Sequence, residues 1–385
     1  MVPYDNDMSK AQTMLDHLKV SFYHIVENLG PHGLPLAMRA DWNDCINLSC
    51  FSDTPGESFQ TYTNPKFAAE GGYSKVAESV FVASLFTYAG PNYVSILKHL
   101  GKDDEAAKAQ AEIDKMMANM MESAWDGDWF LRAYDANGEK MGSKECEEGQ
   151  IFIEPQGFAI MSGLDKDVTA KTLKAIDERL NTQHGLVLNN PAFTKYYVQY
   201  GEISTYPGGY KENAGIFTHN NAWIICAAAY AGEGDQAFKY YSEIAPAFTE
   251  ETSDLHKTEP YVYGQMIGGK DAGSDIGQTG KNFGQGKNSW LTGTAAWNMV
   301  AISQYILGIA ADFDGLKIDP SIPSAWDGMK AKREFRGATY DINVTNPDHV
   351  CKGIKSVTVD GNAIEGNVLP AFGDGKTHTV EVVMG

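Results

Sequence analysis

The chain is poor in the features that mark the commonest functional classes. Its 385 residues hold five cysteines, Cys45, Cys50, Cys146, Cys226 and Cys351, scattered and without a Cys-x-x-Cys pair. That spacing argues against a disulfide framework or a cysteine zinc site, and fits reduced thiols in a cytoplasmic protein. Basic residues are scarce: 31 Lys and Arg stand against 50 Asp and Glu, a formal net charge of -19 and a pI near 4.8. No basic stripe offers a nucleic-acid backbone an electrostatic footing. The opening MVPYDNDMSK has neither a basic start nor an apolar core, and no apolar run approaches membrane-spanning length. A secretory leader and a membrane partner are therefore not expected.

Several catalytic signatures are missing too. The nine histidines include no HExxH and no close His/Cys set, so neither a metal nor a cofactor is expected. No GxSxG elbow occurs. The glycines at 277, 280, 284 and 286 do not make a nucleotide loop: Lys281 and Lys287 lack the upstream glycine at the required spacing, and Asn follows each of them.

What is present is ample core-forming material, with 43% hydrophobic and 11% aromatic residues. Helical periodicity runs over 9–29, 74–99, 103–122, 150–162, 166–180, 213–231, 234–246 and 291–307. Between these stretches lie polar, aromatic and glycine-rich connections at 31–73, 185–212 and 252–290. Loops beyond about 12–15 residues are more often functional than idle, so the chemistry is expected there. Residues 125–143 read as a hairpin about an Asn137-Gly138 turn. After Asp312 the texture changes to short alternating runs separated by Asp-Gly, Pro and Asn turns. Residues 1–310 thus read as a mainly α domain and 311–385 as a small β domain. A toroid of six helical hairpins needs about twelve helices, and about eight are counted.

Three constellations can carry chemistry. The first is Asp41-Trp42-Asn43-Asp44. A tryptophan face suits the C–H side of a sugar ring, and a partly desolvated carboxyl beside it can serve as a general acid. The same four residues equally suit an Asx turn. The second is GEISTYPGGYKENAGIFTHNNAW, residues 201–223, which gathers Glu202, Tyr206, Lys211, Glu212 and His219 about a Pro-Gly-Gly turn. That density of hydrogen-bonding and stacking groups fits a polyhydroxylated ligand, although Lys211 beside Glu212 also reads as a surface ion pair. The third is EPYVYGQMIGG with GKNSWLTGTAAW, where Thr292-Gly293-Thr294 at a helix start reads either as a phosphate site or as an N-cap.

In order along the chain, GPHGLPLAMRADWNDCINLSCFSD, ESFQTY, TYPGGYKENAGIFTHNNAW, EPYVYGQMI, NSWLTGTAAWN, ILGI and DGLKIDPSIPSAWDG resemble the carbohydrate phosphorylases of glycoside hydrolase family ninety-four. The resemblance covers essentially the whole chain. It implies an incomplete (α/α)6 helical toroid followed by a small jelly-roll-like β-sandwich. It also implies inverting phosphorolysis of cellobiose to α-glucose 1-phosphate and glucose, with inorganic phosphate as co-substrate. Asp44 would be the general acid. Trp42 and Glu202 would hold the reacting glucosyl unit, with Tyr206, Lys211 and Glu212 around the acceptor. His219, Gln265, Thr292 and Gly293 would surround the phosphate, and Arg39 is a looser substrate ligand. Residues 268–286 match the family pattern least.

The same resemblance implies a homodimer. It also implies a missing N-terminal portion, a β-sandwich and the first barrel helices, needed for activity and supplying arginines for phosphate. Cellodextrin or chitobiose phosphorolysis and a non-catalytic sugar-binding fragment are the alternatives. A hydrolase on the same fold would need a carboxylate to activate water, with Glu202 as its candidate.

Overall fold

Amphipathic spacing builds the first part of the chain, and strand alternation builds the last. The computed structural model describes residues 7–37, 41–48, 77–274 and 279–385. The chain packs as two compact units, one of Leu15–Asn221 with Glu243–Thr292, the other of Met1–Met14, Ala222–Ser242 and Gly293–Gly385.

The first unit is organised by helices α1 (Met8–Val26), α2 (Val80–His99), α3 (Asp103–Ser123), α4 (Glu154–Met161) and α5 (Lys166–Arg179). Helix α3 buries Ala106, Ala109, Ile113, Met116 and Met120, steps of three and four that define one apolar stripe. Asp103, Asp104 and Glu105 fill its first turn, where the helix dipole favours negative charge. Against that stripe pack Phe22, Phe86 and Tyr93, with the Phe22 ring 4.8 Å from Phe86 and 4.9 Å from Tyr93. Helix α2 corrects one expectation, because its 20 residues are long and apolar enough to cross a membrane. More than half of it is buried, including Val80, Phe81, Phe86, Val94 and Leu97, so it is the apolar centre of a packed core.

Short strands occupy the connections between helices. They are β1 (Glu78–Ser79), β2 (Ala133–Tyr134), β3 (Lys140–Met141), β4 (Ile151–Phe152), β5 (Asn189–Asn190), β6 (Ile216–Phe217), β7 (Gly264–Ile267) and β8 (Gly286–Ser289). The expected hairpin is present as the β2–β3 pair flanking Asn137-Gly138. The helix expected from 150 begins at Glu154, because Ile151 and Phe152 pair with β5. The helix expected from 213 begins at Thr218, as α6 (Thr218–Ala231), because Ile216 and Phe217 pair with β7.

Helix α7 (Gly234–Ile244) follows α6, and α8 (Thr294–Val300) runs on into a π-helical turn over Ala301–Ile306. The C-terminal part of the second unit is sheet: β9 (Ile309–Ala311), β10 (Gly315–Ile318), β11 (Gly328–Phe335), β12 (Ala338–Thr345), β13 (Ile354–Val359), β14 (Asn362–Ala363), β15 (Val368–Pro370) and β16 (Thr377–Met384). The larger sheet has order β11-β12-β16-β13-β14, with β12 and β16 parallel. The smaller has order β15-β10-β9. Strand β16 buries His378, Val380, Val382 and Met384 and exposes Thr377, Thr379 and Glu381, as its alternation predicts.

Candidate active site

The turn Asp41–Asp44 lies in the first unit, and its backbone is a pair of overlapping Asx turns. The Asp41 carboxylate accepts from the Asn43 amide at 3.0 Å, and the Asn43 side-chain oxygen accepts from the Cys45 amide at 3.0 Å. The polar-turn reading of these residues is therefore correct for the backbone, and it leaves the side chains to be placed separately.

Asp41 points inward. Arg132 donates to it in a two-pronged fork, Nη1 to Oδ2 at 2.5 Å and Nη2 to Oδ1 at 2.7 Å. The Ser79 hydroxyl donates to Oδ2 at 2.7 Å and also caps α2 by accepting from the Val82 amide. Side-chain exposure is 3% for Asp41 and 0% for Arg132. Burial alone would raise the Asp41 pKa, but Arg132 and the hydroxyl outweigh it and hold the carboxyl below its ordinary range. On the other side of the guanidinium, Glu154 approaches Nε at 3.5 Å with 1% exposure. Its carboxyl oxygens make no hydrogen bond to a described side chain or backbone group, and burial pushes its pKa up to about 7.

Asp44 points outward and is exposed. The next residue, Cys45, turns its thiol toward the Tyr206 hydroxyl at 3.4 Å and toward Asp44 Oδ1 at 3.8 Å. Burial pushes this thiol up to about 11, the Tyr206 hydrogen bond opposes that, and Glu212, Asp44 and Glu202 add to it. Those three carboxylates thus converge electrostatically on one sulfur. The Lys211 ammonium sits 4.8 Å from the Tyr206 ring centre, in cation–π range. Glu212 is half-buried, which raises its carboxyl pKa.

Backbone bonds fasten this group together. The Ile203 amide donates to the Cys45 carbonyl at 2.9 Å, and the Asn47 amide to the Tyr200 carbonyl at 3.1 Å. Gly201 (φ +77°) permits that approach, because a Cβ there would lie 2.9 Å from Asn47 Cβ. Asn213, fully buried, joins the segments by donating to the Tyr206 and Phe193 carbonyls and accepting from the Phe193 amide.

Trp42 faces a second group. Its ring centre is 5.3 Å from His219 and 6.2 Å from Phe217. Burial pushes the His219 imidazole down to about 4, so it is neutral near pH 7. Phe217 is on β6, which pairs with β7, and the Gln265 side-chain oxygen on β7 accepts from the Asn288 side-chain Nδ2 on β8 at 2.8 Å. Thr292 follows β8 at the end of the first unit, and Gly293 precedes α8 at a segment start of the second, its carbonyl accepting from the Trp297 amide at 3.1 Å. The structure thus gathers Asp44, Glu202, Tyr206, Lys211 and Glu212 about Cys45, and sets Trp42 against His219. Arg39 lies outside the described residues, as does the segment ESFQTY.

Sequence reasoning passed over Arg132, Glu154, Ser79 and Asn213. A signal existed for two of them. Arg132 interrupts WFLRAY and Glu154 interrupts IFIEPQGFAIM, and a lone charge within an apolar run is a buried charge that needs a partner.

Comparison with known proteins adds lineage to this geometry. A family model described as the glycosyl hydrolase 94 superfamily, catalytic domain, matches residues 1–308. An N,N'-diacetylchitobiose phosphorylase from Vibrio proteolyticus is 35% identical over 100% of this chain and 44% of its own length. A solabiose phosphorylase from Paenibacillus borealis is 32% identical over 100% of the chain and 46% of its own length. The chain spans less than half the length of either relative. Among solved structures, a sialidase superposes with a TM-score of 0.55 at 13% identity, over 87% of this chain and 28% of that one. A family 78 rhamnosidase from Bacillus sp. GL1 gives 0.53 at 12% identity, over 99% and 33%. At such identities these two speak for the fold alone.

Proposed function

The chain belongs to the glycosyl hydrolase 94 superfamily, and from that premise we propose that its site cleaves a β-linked disaccharide with inorganic phosphate, inverting the anomeric centre. Asp44 is the general acid. It donates a proton to the glycosidic oxygen while a phosphate oxygen attacks the anomeric carbon from the opposite face, releasing an α-sugar 1-phosphate and the second sugar. Trp42 stacks on the reacting sugar with Glu202 beside it. Tyr206, Lys211 and Glu212 surround the acceptor sugar. Gln265, Thr292 and His219 serve the phosphate side, His219 as a neutral N–H donor, and Arg39 is a looser ligand of the sugar. We place the helices in part of an (α/α)6 toroid.

The observation that carries this reading is the unequal fate of the two aspartates. An inverting hydrolase needs a second carboxylate to activate water, whereas phosphate is already a nucleophile. Asp41, the other carboxylate of the turn, is locked to Arg132 and unavailable for that task. We take cellobiose as the substrate. A second reading, N,N'-diacetylchitobiose, is favoured by the 35% identity to the Vibrio proteolyticus enzyme of that name.

The test is to incubate the complete product of the gene with cellobiose, cellotriose or N,N'-diacetylchitobiose, with and without phosphate, and follow sugar 1-phosphate. Release that requires phosphate is expected, and the preferred sugar decides between the substrates. Equal cleavage without phosphate would overturn the reading in favour of a hydrolase using Glu202.

A further inference from the structure

We propose that Arg132 is a positioning residue for this site, its guanidinium fixing, through Asp41, the turn that presents Trp42 and Asp44. The inference rests on the phosphorolytic reading for the identity of the reaction, but not for the clamp itself.

The turn is short and polar, and the Asp41 side chain ties its inner face to Arg132 and Ser79. Asp41 receives both prongs of Arg132, the Ser79 hydroxyl and the Asn43 amide, so each of its oxygens accepts two hydrogen bonds. Arg132 in turn is held by the protein core, fully buried just before β2, with its guanidinium carbon 5.8 Å from the Phe81 ring centre on α2. A planar fork fixes both the distance and the orientation of its carboxylate, which a lysine cannot do. Asp41 is therefore fixed in rotation as well as place, and Trp42 and Asp44 inherit that orientation through a backbone locked by two Asx turns.

Glu154 makes the clamp adjustable. The charged groups facing it are Arg132 from the β2 edge and Asp41 from the turn. Its carboxyl stands 3.5 Å from Nε, within ion-pair distance and outside hydrogen-bond geometry. While it is neutral, the guanidinium is committed to Asp41. Once ionised, it draws on the same cation and slackens the grip on the turn. Burial of the carboxyl places that change near neutrality.

Two variants test this, each made in the complete gene product and compared with wild type. Arg132→Lys keeps the charge and removes the fork. Glu154→Gln keeps the shape and removes the competing charge. The first readout is alkylation of Cys45 by iodoacetamide, followed by peptide mass with Cys226 and Cys351 as internal references. It needs no enzymatic activity. In Arg132→Lys the loosened turn should raise Cys45 alkylation about tenfold, with the reference cysteines unchanged. In Glu154→Gln at pH 8, Cys45 should react several-fold more slowly than wild type, and at pH 5.5 equally. The second readout is phosphate-dependent release of sugar 1-phosphate. Misplacing a catalytic group by about 1 Å costs on the order of 100-fold, so Arg132→Lys should lose about 10- to 100-fold in kcat with KM within about threefold.

Unchanged Cys45 alkylation in both variants overturns the inference, whatever the activity. Changed alkylation in a protein that releases no sugar 1-phosphate upholds the clamp and overturns the reaction assigned to the site. If Arg132→Lys fails to fold, the pH 8 comparison of Glu154→Gln with wild type decides alone: slower alkylation supports the clamp and equal alkylation overturns it.

Discussion

Asp41 and Asp44 stand on one turn, yet the protein treats them as different chemical species. Asp41 is withdrawn from water, forked by Arg132 and kept ionised despite burial. Asp44 is exposed among groups that suit a sugar. A carboxylate that must exchange protons with substrate needs access, whereas one that holds a loop needs partners and no access. Two side chains of the same type thus meet opposite environments because the turn sends one inward and the other outward. Acidic residues lying close in sequence should not be read as a catalytic pair until both have been placed.

Substitutions can sharpen that contrast. The largest effect is expected from Asp44→Asn, which should lower phosphorolysis by about 100- to 10,000-fold, the usual range for loss of a general acid. The urea midpoint should stay at the wild-type value, because Asp44 is exposed. Asp41→Asn should lose less phosphorolysis than Asp44→Asn and more stability. It strips most of the compensation from a fully buried arginine, and breaking such a pair costs about 3–5 kcal/mol, readable as a lowered urea midpoint. Comparable stability losses in the two variants would remove the distinction drawn here.

Glu154→Gln should alter how stability depends on pH. The folded-state pKa of Glu154 is raised, so its favourable contribution is complete below the unfolded value of about 4.3 and is lost as pH climbs through about 7. Wild type should therefore lose stability relative to Glu154→Gln across that window, by at most about 4 kcal/mol given 1.36 kcal/mol per pKa unit. Asp41 has the opposite sign, its contribution being present above about 3.9 and lost as pH falls through its lowered value.

The smallest effect is expected in the second unit. His378 stacks on Phe372 at 3.7 Å between ring centres and contacts Asp360 at 2.7 Å and Asp374 at 3.2 Å. The Asp360 hydrogen bond, with Asp374, raises its pKa against the pull of burial. Its contribution is complete below the unfolded value of about 6.5 and fades as pH rises through the higher folded value. His378→Gln should flatten the dependence of the melting temperature on pH between 6 and 8.

Where the sequence was informative, the reason is local. Helix α3 and strand β16 carry unbroken periodicities, and β2–β3 carries an Asn-Gly turn, so each can be read from a few neighbouring residues. Strands β4 to β8 span two to four residues each, too few for alternation to show, and Ile151-Phe152 and Ile216-Phe217 merge by pattern into the helices that follow them. The residues of the candidate site's outward half, Trp42, Asp44 and the aromatic segment around Tyr206, stand out in the sequence by their type and spacing. The inward half was not, because Arg132 and Asp41 are 91 positions apart and only folding makes them partners.

The most direct measurement is proton NMR of the first sugar phosphate formed by the complete gene product from its preferred β-linked disaccharide. An α-sugar 1-phosphate, appearing only when inorganic phosphate is supplied, is the predicted result. A β-sugar 1-phosphate, or free sugars formed equally well without phosphate, would contradict the assignment of one acid, Asp44, and of phosphate as the nucleophile.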